Sequence, residues 1–237
     1  MGDLIVRRRM LVPSGDPFDG YVQTDLAYQL DGIWNTITGH DATSDRWYNH
    51  KSANPFKGYL YTNSSVIGDK YCIPNDRMYY RGIGTSSNSN MIQMSDSYSI
   101  EICVDIVGGE DQYQWIFANR GNGYGTTYID TTNGHLLFAA KSGGGALGVA
   151  TSSGIHTYVA TGSNGTTYVD GQAVSSIRGG SGASSVDRHF AFYYTTSYPH
   201  PCISKIYAIR LYSRALTATE VLQNYNIDRI RFGSGVS

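Results

Sequence analysis

The stretch that most narrows what this chain can fold into is Ile203–Leu216, followed at once by Thr217–Tyr225. From Ile203 to Tyr212 the side chains divide onto two faces with a period of two. Ile203, Lys205, Tyr207, Ile209 and Leu211 share one face, and Ser204, Ile206, Ala208, Arg210 and Tyr212 share the other. Both faces carry apolar groups, which places this strand centrally in a sheet. Arg214 breaks the alternation. Thr217 then reads as a helix N-cap, with Glu220 three residues on to close a capping box. Ala218, Val221, Leu222 and Tyr225 give one short helix an apolar stripe.

A central strand needs neighbours, and the composition supplies them. With 28 Gly, 20 Tyr and only 16% charged residues in 237, the chain suits many strands joined by turns, not helix bundles or coiled coils. Its 41% hydrophobic content can fill a core, and the length fits one large β domain. Tyr98–Ile106 alternates cleanly: Tyr98, Ile100, Ile102, Val104 and Ile106 point inward, while Ser99, Glu101, Cys103 and Asp105 form a face expected to be solvated. Ala27–Leu30 opens the domain, with Asp31-Gly32-Ile33 as a turn signal. Gln114–Ala118, His135–Ala139, Ile155–Ala160, Thr166–Val174 and Phe190–Tyr194 supply further strands. Asp170-Gly171 marks a type I′ hairpin. No internal repeat or linker divides the chain. The expected organisation is an arm over 1–20, one domain over 21–232 and a tail over 233–237.

Several of these runs resemble a known family. Ile209-Arg210-Leu211-Tyr212, Arg214-Ala215-Leu216-Thr217, Glu220-Val221 and Asn224-Tyr225 together resemble the closing segment of laminin-G-like, concanavalin A-like domains. The strand around Glu101, the run His156-Thr157-Tyr158-Val159-Ala160 and the run Tyr168-Val169-Asp170-Gly171 are similar to the same family. The resemblance implies an all-β, two-sheet antiparallel jelly-roll sandwich with one short C-terminal helix, in which the histidine packs or caps and is not catalytic. Tyr21-Val22-Gln23, Leu26, Leu30-Asp31-Gly32-Ile33, Gly39-His40-Asp41 and Trp47 resemble the opening of jelly-roll proteins of tailed phages and prophages of gut bacteria. An arginine-rich start like Arg7-Arg8-Arg9 often precedes the domain there. This implies a virion surface protein, a head or tail appendage, assembled in the host cytoplasm. The alternative is an adhesion module of a bacterial surface protein.

Catalytic patterns are weak. Glucanases of related fold carry E-x-D-x-x-E on a central strand, the carboxylate pair of retaining hydrolysis. Here Glu101 is followed by Cys103 and Ile106 where acids would stand, so a non-enzymatic protein is expected and a glycoside hydrolase is the least favoured reading. No H-E-x-x-H, G-x-S-x-G or P-loop occurs. Cys72, Cys103 and Cys202 lack zinc-site spacing, and the six histidines do not pair. Laminin-G-like domains often hold Ca²⁺ at the sandwich rim, which makes Asp41, Asp45, Asp130 and Asp170 the residues to inspect. Turn formation explains Asp41, Asp45 and Asp170 more simply, and no metal site is assigned.

Binding is the better expectation. Aromatic faces stack on pyranose rings while amide, hydroxyl and carboxylate groups bond the sugar hydroxyls. Tyr193, Tyr194, Tyr198 and His200 form the densest such stretch, and Tyr124 in a Gly-rich loop is a second. Core packing of alternate tyrosines is the competing account, and packing also explains Trp34 and Trp47. Host cell-surface glycans are the expected ligands. The arm bearing Arg7, Arg8 and Arg9 between two apolar clusters is expected to dock on virion proteins, against the alternative of a frayed terminus. A net charge of −1 gives no nucleic-acid footprint. No apolar run is long enough for membrane insertion, and no signal peptide is read at the N-terminus. A homo-oligomer is expected, as virion appendages are symmetric assemblies.

Overall fold

The computed structural model describes residues 16–44, 46–51, 59–62, 66–74, 78–81, 92–94, 97–109, 113–117, 127–138, 147–162, 165–177, 188–190 and 202–235. In chain order the strands are β1 Leu26–Asp31, β2 Arg46–Tyr48, β3 Tyr59–Thr62, β4 Val66–Ile67, β5 Cys72–Ile73, β6 Met78–Arg81, β7 Ile92–Met94, β8 Ser99–Asp105 and β9 Tyr113–Phe117. They continue as β10 Thr127–Asp130, β11 His135–Phe138, β12 Leu147–Ala150, β13 Ile155–Thr161, β14 Thr167–Val169, β15 Gln172–Val174, β16 Arg188–Phe190 and β17 Lys205–Tyr212, and the helix α1 spans Ala218–Phe232.

The alternating runs pair as their patterns require. β17 lies beside β8 from Lys205↔Asp105 to Tyr212↔Ser99, and β13 flanks β8 on its other side. The main sheet runs β15-β14-β13-β8-β17-β5-β4, with β1 also paired to β17. A second sheet runs β12-β11-β10-β9. Ile100, Ile102, Val104, Tyr158, Ile209 and Leu211 of the first sheet meet Ile116, Ile129, Leu136, Phe138 and Val149 of the second in one buried core. Trp47 joins this core and donates its indole N–H to the Asp31 carbonyl at 2.7 Å. This is the all-β antiparallel sandwich with a C-terminal helix that the sequence implied. Among the described residues the three cysteines are buried and free.

Local signals read from the sequence hold where they are local. Asp170 and Gly171 both have positive φ, 51° and 76°, in the β14–β15 hairpin, where type I′ geometry demands it. Thr217 and Glu220 close both halves of the capping box.

Four expectations change. The strict alternation of β17 fails, because the register shifts between Ile206 and Ala208. This bulge turns the consecutive Tyr207 and Ala208 into one cluster with Cys103 and Phe232, while Ile206, Ile209 and Leu211 face the central core. The helix is longer than expected, at 15 residues, and its buried stripe is Val221, Asn224, Asp228 and Phe232, with Leu222 39% exposed. The face of β8 expected to be solvated is sealed: Glu101 and Cys103 are 0% exposed, since α1 lies across it. The packing also reaches past 21–232 at both ends. Phe18 is buried against the His50 ring, and Ser234 is buried behind a left-handed Gly233 cap.

Candidate functional site: a buried charge cluster beneath the C-terminal helix

Glu101 on β8 and Arg210 on β17 are opposed residues on the outer face of the main sheet. Strand periodicity aims both side chains away from the sandwich core and at the helix. Helical periodicity brings Asn224 and Asp228, four residues apart, down onto them. All four side chains are fully buried.

The guanidinium of Arg210 donates through Nη1 to Glu101 Oε1 and to Asp228 Oδ2 (3.0 Å), and through Nη2 to Asp228 Oδ1 (2.5 Å). Asn224 Nδ2 donates to Glu101 Oε2 at 2.8 Å and to the Tyr212 hydroxyl at 2.9 Å, while Asn224 Oδ1 accepts from the Val22 amide at 2.9 Å. Tyr21 lays its ring over Arg210, with Cζ 3.8 Å from the centroid, and donates its hydroxyl to Asp228 at 2.8 Å. Arg231, on the next helical turn, forks onto Asp31 at 2.6 and 3.0 Å. Thr157 Oγ1 completes the second oxygen of Asp228 at 3.1 Å.

Burial dominates the protonation chemistry. Desolvation, opposed by the Arg210 charge and reinforced by Asp228, pushes the Glu101 carboxyl up to about 7. Two carboxylates here share one guanidinium, because Arg231 is taken up by Asp31, and burial favours Glu101 keeping its proton. Burial likewise pushes the Tyr21 phenol well up. Glu101, Arg210, Asn224 and Asp228 all have zero exposure, so these four side chains present no surface to a substrate. What the arrangement does chemically is fasten the helix, the 16–25 segment and the sheet into one unit.

The C-terminal end of the helix is held by a second set. Asp170, in its hairpin turn, accepts from the Thr157 amide (3.0 Å) and the Ser234 hydroxyl (3.2 Å) and contacts His156 Nδ1 at 2.7 Å. His156 therefore caps, as the family resemblance implied.

The described calcium candidates, Asp41, Asp130 and Asp170, are each used in local turns or caps. Asp41 is spent on an Asx turn with the Thr43 amide and hydroxyl, which lowers its carboxyl, and Asp130 on a turn with Asn133. Asp170 is used as above, and Asp45 lies outside the described residues. No group of three His, Cys, Asp or Glu suited to a metal occurs among the described residues. Tyr124, Tyr193, Tyr194, Tyr198 and His200 lie outside the described residues, as do Arg7, Arg8 and Arg9. The strands that flank two of the undescribed segments are informative: the opposed pairs Phe117↔Thr127 and Phe138↔Leu147 lie at the same end of the second sheet.

Sequence reading missed Arg210, Asn224, Asp228 and Tyr21 as a set. The available signal was a charged residue on each of two strands otherwise read as interior.

No family model matches the chain, and no curated protein matches it. Solved structures do. Trypanosoma rangeli sialidase in complex with sialic acid superposes with a TM-score of 0.60 at 13% identity, over 88% of this chain and 34% of that one. The botulinum neurotoxin serotype G binding domain superposes with a TM-score of 0.54 at 13% identity, over 86% of this chain and 51% of that one. A second structure of that toxin, its receptor binding domain, gives 0.53 at 11% identity, over 86% and 52%. The chain spans about a third of the length of the sialidase. At these identities the likeness is one of fold.

Proposed function

We propose that this chain is a non-enzymatic, lectin-like recognition domain that presents its loops to host cell-surface glycans from the surface of a phage virion. The observation that carries the recognition reading is the sandwich it shares with a neurotoxin receptor binding domain. Non-enzymatic character is supported by the fate of Glu101, the one strand acid in a hydrolase-like position, which is sealed under the helix and bonded to Arg210 and Asn224. The virion setting rests on the resemblance of residues 21–47 to phage jelly-roll proteins. The tyrosines at 124, 193, 194 and 198 supply the stacking chemistry for a pyranose.

The test is a glycan array with the folded protein, in calcium and again in chelator. Binding to a defined set of glycans, lost in Tyr194→Ala or Tyr198→Ala without a change in melting temperature, is the expected result. A blank array from folded protein overturns the glycan reading, and absence of the chain from purified particles overturns the virion setting. Calcium dependence would point to a rim site.

A further inference from the structure

The charge cluster has one unsatisfied edge. Among the described residues, Arg210 Nε, both polar atoms of the Gln29 side-chain amide and Asn49 Nδ2 are buried without a protein hydrogen-bond partner. Gln29 is 1% exposed and Arg210 0%. The remaining nitrogens of Arg210 each bond Glu101 or Asp228, so Nε is its one nitrogen without a partner.

Register and hydrogen bonding make the three residues neighbours. Gln29 stands directly opposite Arg210 in the β1–β17 register. Leu30 faces the central core, while Asp31 reaches Arg231 on the helix. Alternation then puts Gln29 on the helix side with Arg210, and opposed residues in such a pair have Cβ atoms about 4.5–5.5 Å apart. Asn49 is pinned to the same point of β1, because its Oδ1 accepts from the Gln29 amide at 2.9 Å and from the Lys51 amide at 3.1 Å. His50 closes the strand edge by donating its amide to the Gln29 carbonyl at 2.9 Å, and Phe18 packs on its ring. Tyr21 covers the Arg210 side.

Each buried polar group left unpaired costs about 1–3 kcal/mol, so four in one place would be out of keeping with a stable fold. The donor set says what completes them. A cation is excluded by the Arg210 guanidinium and the amide N–H groups. An anion is disfavoured by the Gln29 carbonyl oxygen and by Glu101 and Asp228 on the other side of the guanidinium. A neutral molecule that both donates and accepts fits.

We propose that Gln29, Asn49 and Arg210 enclose an internal water site that completes the charge cluster. The water accepts from Arg210 Nε–H and from an amide N–H of Asn49 or Gln29, and donates to Gln29 Oε1. This is independent of what the loops bind.

Two measurements on the intact chain test it. A high-resolution crystal structure should show a density peak about 2.7–3.2 Å from both Arg210 Nε and Gln29 Oε1. In solution, the Arg210 Hε resonance should show a cross-relaxation peak to water with the sign of a long-lived bound molecule, and Gln29→Met should abolish it. Direct bonding of Gln29 Oε1 to Arg210 Nε with no density between them overturns the proposal. So does an Arg210 Hε–water peak that is absent in the native chain or unchanged in Gln29→Met. The native measurements decide the matter if that variant does not fold.

Discussion

Arg210 sits where its charge is shut off from bulk solvent, between two carboxylates that would otherwise lack a cationic partner. Removing one partner of such a set costs far more than the set contributes, because the groups left behind keep their desolvation penalty. Arg210→Met is therefore expected to lose about 3–5 kcal/mol, a large part of a typical stability of about 5–15, and urea unfolding would measure it. Glu101 gives the same site a pH dependence. Its carboxyl is raised by burial to about 7 in the folded chain, from about 4.5 when exposed. A carboxyl that holds its proton more tightly when folded stabilises the fold at low pH. That contribution is complete below about 4.5 and is lost as pH rises through about 7. Glu220 works in the opposite sense: its hydrogen bond from Arg214 holds it down at about 2, so what it adds is lost as pH falls from about 4.5. Burial lowers the His50 imidazole, which adds stability as pH rises through about 6.5, so between pH 5 and 8 the Glu101 contribution is read as a difference: urea midpoints should fall more steeply, or rise less, with pH in the native chain than in Glu101→Gln. An unchanged slope in that variant would remove Glu101 as the cause.

At the scale of elements, α1 is held less by apolar contact than by its ends and its polar stripe. At its start, the Thr217 hydroxyl accepts from the Glu220 amide at 3.3 Å and the Glu220 carboxylate accepts from the Thr217 amide at 2.9 Å. Thr217→Ala is expected to cost about 1 kcal/mol, seen as a lowered thermal midpoint. Along its flank, Gly171 touches the helix so closely that an added Cβ would stand 2.9 Å from Leu222 and 3.0 Å from Tyr225, at a φ of 76° that disfavours any side chain. Gly171→Val should loosen the helix, raising amide exchange over 221–232 more than in β8 or β13. The same element marks what a sequence can and cannot disclose. The capping box and the Asp170-Gly171 turn were legible because residues three or one apart define them. The length of α1 was not, since Asn224 and Asp228 carry no apolar signal and only become interior through Glu101 and Arg210, more than 100 and about 14–18 residues away. The solvated reading of Glu101 failed for the same reason: alternation tells which residues share a face, never what later covers it. The bulge at Tyr207 was hidden because Lys205, Tyr207 and Ile209 alternate without a break, and only the pairing with β8 shows the shift.

For the molecule as a whole, the question is which parts of the chain the sandwich needs and which it can spare for a partner. Among the described residues, packing on the sandwich begins at Phe18, whose ring is buried, lies 4.6 Å from His50 and sits 5.8 Å from the Arg231 guanidinium. Tyr21 and Val22 then tie the segment to Asp228 and Asn224. If residues 1–15 serve a docking partner, removing them should leave the thermal midpoint unchanged. Removing 1–20 takes Phe18 as well. Burial of such a side chain is worth about 1.5–3 kcal/mol, and in a chain of this size each kcal/mol moves the midpoint by about 2–4 °C, so a fall of several degrees is expected. A thermal scan of the two truncations separates the roles. Equal stability for native and 16–237 chains, with loss of incorporation into particles, would assign Arg7, Arg8 and Arg9 to assembly. A fall already present in 16–237 would instead show the arm packing on its own sandwich, and the docking role would go with it.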